Sequence, residues 1–141
     1  MAEYPIPTEV PSFDRPTLTV LCIEHDLACA SVIEHAVNAR AEVEVLVATD
    51  GVRGTELARE HRPDLVVADL DVAGIGGEEV LARLQADPST RSLPVIVSGQ
   101  ASAAAGGRLI GRGAQSYLPK PLNVVELARA IDHGVGLPNA A

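Results

Sequence analysis

Residues 62–81 read RPDLVVADLDVAGIGGEEVL, and this stretch decides the fold. Pro63 stops any helix arriving from the left, because a proline forces the residue before it out of the helical region. Leu65 to Ala68 is a short apolar run that reads as a buried strand. Asp69 stands at its end, a carboxylate where the chain leaves the sheet. Gly74, Gly76 and Gly77 supply a turn, and Glu78 to Gln85 follows as a helix whose two leading acids suit the positive end of its dipole, with Pro88 ending it. The same strand, turn and helix recur on both sides. Leu18–Ile23 precedes a helix over Leu27–Arg40 that Asp26 can cap, and Val43–Ala48 precedes Val52–His61 across Asp50-Gly51. Val95–Val97 precedes Ala101–Arg112, and Ser116–Leu118 precedes Leu122–His133. Five such units predict an α/β doubly wound sandwich around a parallel sheet, since parallel neighbours need a crossover helix and bury both faces.

The chain has 141 residues, 47% of them hydrophobic and 21% charged, which fits one domain with a filled core. Eleven Lys and Arg against nineteen Asp and Glu leave a net charge of −8, so the surface offers no field for a nucleic acid backbone or an anionic membrane. Only Tyr4, Phe13 and Tyr117 are aromatic, too few to stack bases. Cys22 and Cys29 match no zinc spacing and read as small buried hydrophobes. There is no Walker sequence and no complete Gly-x-Gly-x-x-Gly, so Gly74-Ile75-Gly76-Gly77 is a turn rather than a phosphate cradle. Pro5, Pro7, Pro11 and Pro16 make residues 1–16 a flexible arm before a domain at 17–135, with a tail at 136–141. Neither a signal peptide nor an apolar run of membrane length is present, which predicts a cytoplasmic protein. Only Gly134 to Ala141 follow the last predicted helix, so output is expected through protein contact.

Ligands of open α/β sheets bind beyond the carboxyl ends of the strands, so the residues there carry the chemistry. They are Glu24-His25-Asp26, Asp69, Ser98 and Lys120-Pro121. Acids, a hydroxyl and a lysine converge on one edge.

These residues sit in VLCIEHD (20–26), RPDLVVADLDVAGIGGEEVL (62–81), ADPSTRSLPVIVSG (86–99) and GAQSYLPKPL (113–122), and together the four stretches resemble the response regulator receiver domain of two-component signalling, over about residues 17–135. The resemblance implies a flavodoxin-like (βα)5 fold with strand order 2-1-3-4-5. It implies a chemotaxis-type single-domain regulator and not an enzyme: Asp69 accepts a phosphoryl group from a histidine kinase or phosphotransfer protein, Lys120 contacts that group, Ser98 turns toward it, and Tyr117 is the switch aromatic. Pro121 matches the proline after a cis peptide. Phosphorylation is expected to draw Ser98 inward and free space for Tyr117, reshaping the face made by the fourth helix, fifth strand and fifth helix for a downstream protein target. A monomer or weak homodimer is expected. Mg²⁺ would be held by Glu24, Asp69 and the Asp71 backbone carbonyl. Asp26 is a further acid whose competing job is to cap a helix, and the Asp71 carboxylate is another way to complete the site. His25 stands where the family has a second acid, and imidazole is a poor Mg²⁺ ligand, so binding is expected to be weakened. The alternative function is a pseudo-receiver that binds proteins without phosphorylation.

Overall fold

The computed structural model describes residues 17–37 and 41–136; the predicted arm at 1–16, positions 38–40 at the end of the predicted first helix and most of the predicted tail lie outside the described residues. Five strands, β1 (Thr17–Ile23), β2 (Glu42–Ala48), β3 (Leu65–Asp69), β4 (Val95–Gly99) and β5 (Ser116–Pro119), alternate with five helices. The helices are α1 (Ala28–Val37), α2 (Gly51–His61), α3 (Gly76–Ala86), α4 (Ala103–Gly111) and α5 (Val124–Val135). The sheet runs β2-β1-β3-β4-β5 and every pairing is parallel, as the sequence predicts.

The alternation of side chains along each strand divides the core in two. Val20 and Cys22, Leu65 and Val67, Ile96 and Leu118 face α1 and α5, where Ile33, Leu127 and Ile131 meet them. Leu21 and Ile23, Val66 and Ala68, Val95 and Val97 face the other way, onto Ala58, Val80, Leu84 and Leu109. A near-continuous apolar strand is what a sheet covered on both faces requires.

Several element ends differ from the sequence reading, each for a local reason. Both β3 and β4 run on through polar residues, because the ladder is made by backbone groups: Asp69 and Ser98 are register partners and Leu70 N–H donates to the Ser98 carbonyl at 2.7 Å. Helix α4 starts at Ala103 rather than Ala101, since Ser102 is its cap and accepts from the Ala105 N–H. Asn123 likewise caps α5, accepting from Val125 and Glu126, so that helix starts at Val124 and not Leu122. Helix α3 begins two residues before Glu78, at Gly76, which has a φ of 75°.

Candidate functional site

The row of each strand that faces α1 and α5 extends, at its carboxyl end, into the polar edge. Val20-Cys22 continues to Glu24, Leu65-Val67 to Asp69, Ile96 to Ser98, and Leu118 to Lys120. Ladder hydrogen bonds carry the pattern past the strand ends, with Glu24 N–H donating to the Ala48 carbonyl and Lys120 N–H to the Gly99 carbonyl, both at 2.9 Å. One side of the sheet therefore gathers two acids, a hydroxyl and an amine.

Glu24 and Asp69 are 2% and 3% exposed and Ser98 is fully buried. Lys120 Nζ lies 2.8 Å from Glu24 Oε1 and 3.3 Å from Asp69 Oδ1, bridging the two carboxylates. Burial by itself would lower the Lys120 pKa, but the hydrogen bond and charge of Glu24, with the charge of Asp69, outweigh it and hold the ammonium above its ordinary value. Asp69 Oδ1 also accepts from the Asp71 N–H at 3.2 Å. Its other oxygen, Oδ2, faces His25 Nδ1 across 4.0 Å, too far for a hydrogen bond. Among the described residues the Ser98 hydroxyl has no hydrogen-bond partner, although it leaves the sheet on the same face as its register partner Asp69. A buried polar atom left unpaired costs stability and is kept where a ligand completes it.

The peripheral candidates fall differently. Asp26 Oδ1 accepts from the Ala28 N–H at 3.0 Å, so this acid caps the start of α1. It still lines the cleft of about 190 Å³ beside Glu24, Lys120 and Pro121. The Asp71 residue is exposed, and it is its N–H, not its carboxylate, that touches Asp69. Lys120-Pro121 is cis. A hydrogen bond to Cys29 and burial push the Cys22 thiol far up, in keeping with a buried, inert pair.

Tyr117 leaves the opposite face and packs with the α3 and α4 cluster. Its hydroxyl accepts from the Ala101 N–H at 2.7 Å and donates to the Ala101 carbonyl at 3.2 Å. The ring fills a notch at Gly106, where a Cβ would sit 2.6 Å from a ring carbon. The Tyr117 ring is thus seated on the face opposite Ser98, and Gly99 to Ala101 is the backbone that joins the two. Sequence reasoning misses Ala101 and the contact of Gly106 with the Tyr117 ring. The glycine pair inside α4 is the available signal, and it reads as a weak helix unless the ring is known to lie against it.

A Mg²⁺ site needs hard oxygen donors on one edge, and Glu24 and Asp69 supply two. Among the described residues, the one group of three that could hold a metal ion is Glu24, His25 and Asp69, with one ligand atom of each within 4.8 Å of the others. The carboxylates fit Mg²⁺; the imidazole does not.

A five-stranded doubly wound sheet with a buried aspartate, a lysine across from it and a hydroxyl beside it defines a two-component signalling module. The response regulator receiver domain family matches residues 20–132, and the chain belongs to it. It is 33% identical over 94 residues to the polar-differentiation response regulator DivK of Brucella anthropi, a match covering 66% of this chain and 76% of that one. A putative response regulator from Chloroflexus aurantiacus superposes with a TM-score of 0.75 at 26% identity, over 86% of this chain and 99% of that one. The receiver domain of a Pseudomonas aeruginosa sensor histidine kinase, with magnesium coordinated in its active site cleft, shares the fold at 21% identity and a TM-score of 0.72, over 85% and 98% of the two chains. Receiver domains are signalling modules that work with histidine kinases. Among the described residues no helix is long and apolar enough to cross a membrane.

Proposed function

We propose that this protein is a phosphorylated response regulator of the cytoplasm, taking a phosphoryl group on Asp69 from a histidine kinase or phosphotransfer protein and passing the signal to a protein target by contact. The observation that supports this best is the buried Asp69 carboxylate with Lys120 Nζ at 3.3 Å and, on the same face, a Ser98 hydroxyl that has no partner among the described residues. An Asp69 oxygen attacks the phosphorus of the donor phosphohistidine; the new P–O bond forms as the N–P bond breaks, and the released imidazole nitrogen takes up a proton. The protein's task is to hold the acceptor in line and balance spread negative charge. Lys120 carries one positive charge to that place. Ser98 gives its hydrogen to a phosphoryl oxygen, gaining the partner it lacks. Glu24, Asp69 and the Asp71 carbonyl are the groups that would hold a divalent cation, Mg²⁺ among them, and a bound cation would neutralise phosphoryl oxygens.

As Ser98 is drawn toward the phosphoryl group it pulls on Gly99 to Ala101, and Ala101 holds the Tyr117 hydroxyl. The shift reaches the face of α4, β5 and α5, a local charge event with a distant readout. Incubation with acetyl phosphate and Mg²⁺ followed by intact mass tests the reading. Wild type is expected to gain one phosphoryl group and Asp69→Asn none. His25 and the already bonded Tyr117 favour a second reading, the phosphorylation-independent binding module, which an unmodified wild type under every donor would establish instead.

A further inference from the structure

We infer that the pocket at Glu24, His25 and Asp69 is a mixed nitrogen and oxygen site that selects a divalent first-row transition cation, in the series from Mn²⁺ to Zn²⁺, over Mg²⁺. The inference rests on the reading of the Asp69 edge as a cation site and concerns which cation it takes.

Three observations carry it. One ligand atom each from Glu24, His25 and Asp69 lies within 4.8 Å of the other two. Metal–nitrogen and metal–oxygen bonds of about 2.0–2.2 Å place two ligands of one ion roughly 3–4 Å apart, so this triad closes on an ion with a small adjustment. Second, His25 Nδ1 and Asp69 Oδ2 face each other at 4.0 Å, a separation that one ion spans and a hydrogen bond does not. Third, the Ser98 hydroxyl is fully buried on the face that Asp69 occupies and has no partner among the described residues, which points to a group that completes the pocket. Two buried carboxylates and one lysine leave the pocket with an excess of negative charge, which attracts a cation.

Selectivity follows from the donors. Imidazole suits Zn²⁺, Ni²⁺ and Cu²⁺ and is poorly matched to Mg²⁺, which wants oxygen in near-octahedral array. Two carboxylates alone would serve either class. His25 is 70% exposed on its side chain, so it can swing to a ligand position without disturbing the core.

Every nitrogen and oxygen site binds Zn²⁺ more tightly than Mn²⁺, so a tight Zn²⁺ affinity by itself decides nothing. The ratio of Zn²⁺ to Mg²⁺ affinity, compared between wild type and His25→Asp, is the measurement, made by calorimetry with each metal alone on the full chain without a purification tag. The ratio is expected to fall on the order of tenfold or more in His25→Asp, since even groups that only support a ligand change metal affinity by that much. Co²⁺ added to wild type is expected to shift the ring resonances of His25 before those of His35, His61 and His133. An unchanged ratio, or Co²⁺ effects on the other histidines alone, overturns the assignment. Asp69 labelling by acetyl phosphate, run alongside, separates the two readings. Labelling with Mg²⁺ together with an unchanged ratio removes the cation selectivity and leaves the receiver. No labelling with any cation, together with the expected ratio and Co²⁺ effect, supports the selectivity and removes the phosphoryl acceptor.

Discussion

Gly106 and Gly107 are neighbours in α4 with opposite prospects. A methyl at 107 meets nothing within 4 Å, whereas one at 106 runs into the Tyr117 ring at 2.6 Å. Gly107→Ala is expected to stabilise the protein by about 0.5–1 kcal/mol in denaturant titration, from helix propensity alone. Gly106→Ala gains the same propensity but must expel the ring and break the Tyr117 bonds to Ala101, so it is expected to destabilise by about 1–3 kcal/mol. Tyr117→Phe in the Gly106→Ala background should then cost far less than in wild type, because the hydroxyl has already lost its partners. At the Asp69 edge, Lys120→Met leaves Glu24 and Asp69 as two buried acids without the Lys120 ammonium. A loss of about 3–5 kcal/mol in denaturant titration is expected, mostly recovered when Asp69→Asn is added.

Among the elements, α3 shows how a helix is pinned at both ends. Its start passes so close to β3 that a Cβ at Gly77 would lie 2.6 Å from the Asp69 carbonyl and 2.8 Å from the Leu70 Cα, both backbone atoms that cannot turn aside. Its end is closed by Asp87, whose carboxylate accepts from the Ser89 N–H at 2.9 Å and Ser89 Oγ at 2.8 Å and meets Arg59 Nε at 2.9 Å. The Ser89 bonds first, then Arg59, hold the Asp87 carboxyl below its ordinary value. A depressed folded pKa means a contribution present above the unfolded value of about 3.9 and lost as pH falls through the folded one. Asp87→Ala is therefore expected to be less stable than wild type at neutral pH, with the difference shrinking as the solution is acidified below about pH 4, read from denaturant titrations along a pH series. The order and type of these elements are legible in the sequence, because apolar runs, prolines and glycines state them locally. The starts of α4 and α5 are less so: Ser102 and Asn123 fit a helix interior by position, and only their cap bonds move the starts to Ala103 and Val124. Asp69, Lys120 and Glu24 are legible from their place after buried strands. The face that each occupies is harder to draw, though the alternation through Val20, Cys22 and Glu24 contains it. The Tyr117 contact with Ala101 is not legible, because the sixteen positions that separate the two leave no periodic trace.

Across the molecule, a phosphoryl mimic at Asp69 is expected to slow or speed amide hydrogen exchange not only at 69–77 but through 99–125, by way of Gly99 to Ala101. Changes confined to the acceptor loop would reject that route, and loss of the distant changes in Tyr117→Phe would locate it at the Ala101 bonds. The sheet itself has a consequence of another kind. With Glu24, Asp69, Ser98 and Lys120 on the side of α1 and α5 and the Tyr117 ring on the side of α4, it works as a partition between two rooms, joined by a doorway at Gly99 to Ala101. Mutations in one room need not be seen in the other. The chemistry proposed for the Asp69 edge and the α4 part of the proposed reading face can therefore be altered separately, whereas α5, which packs on the Asp69 side, belongs to both.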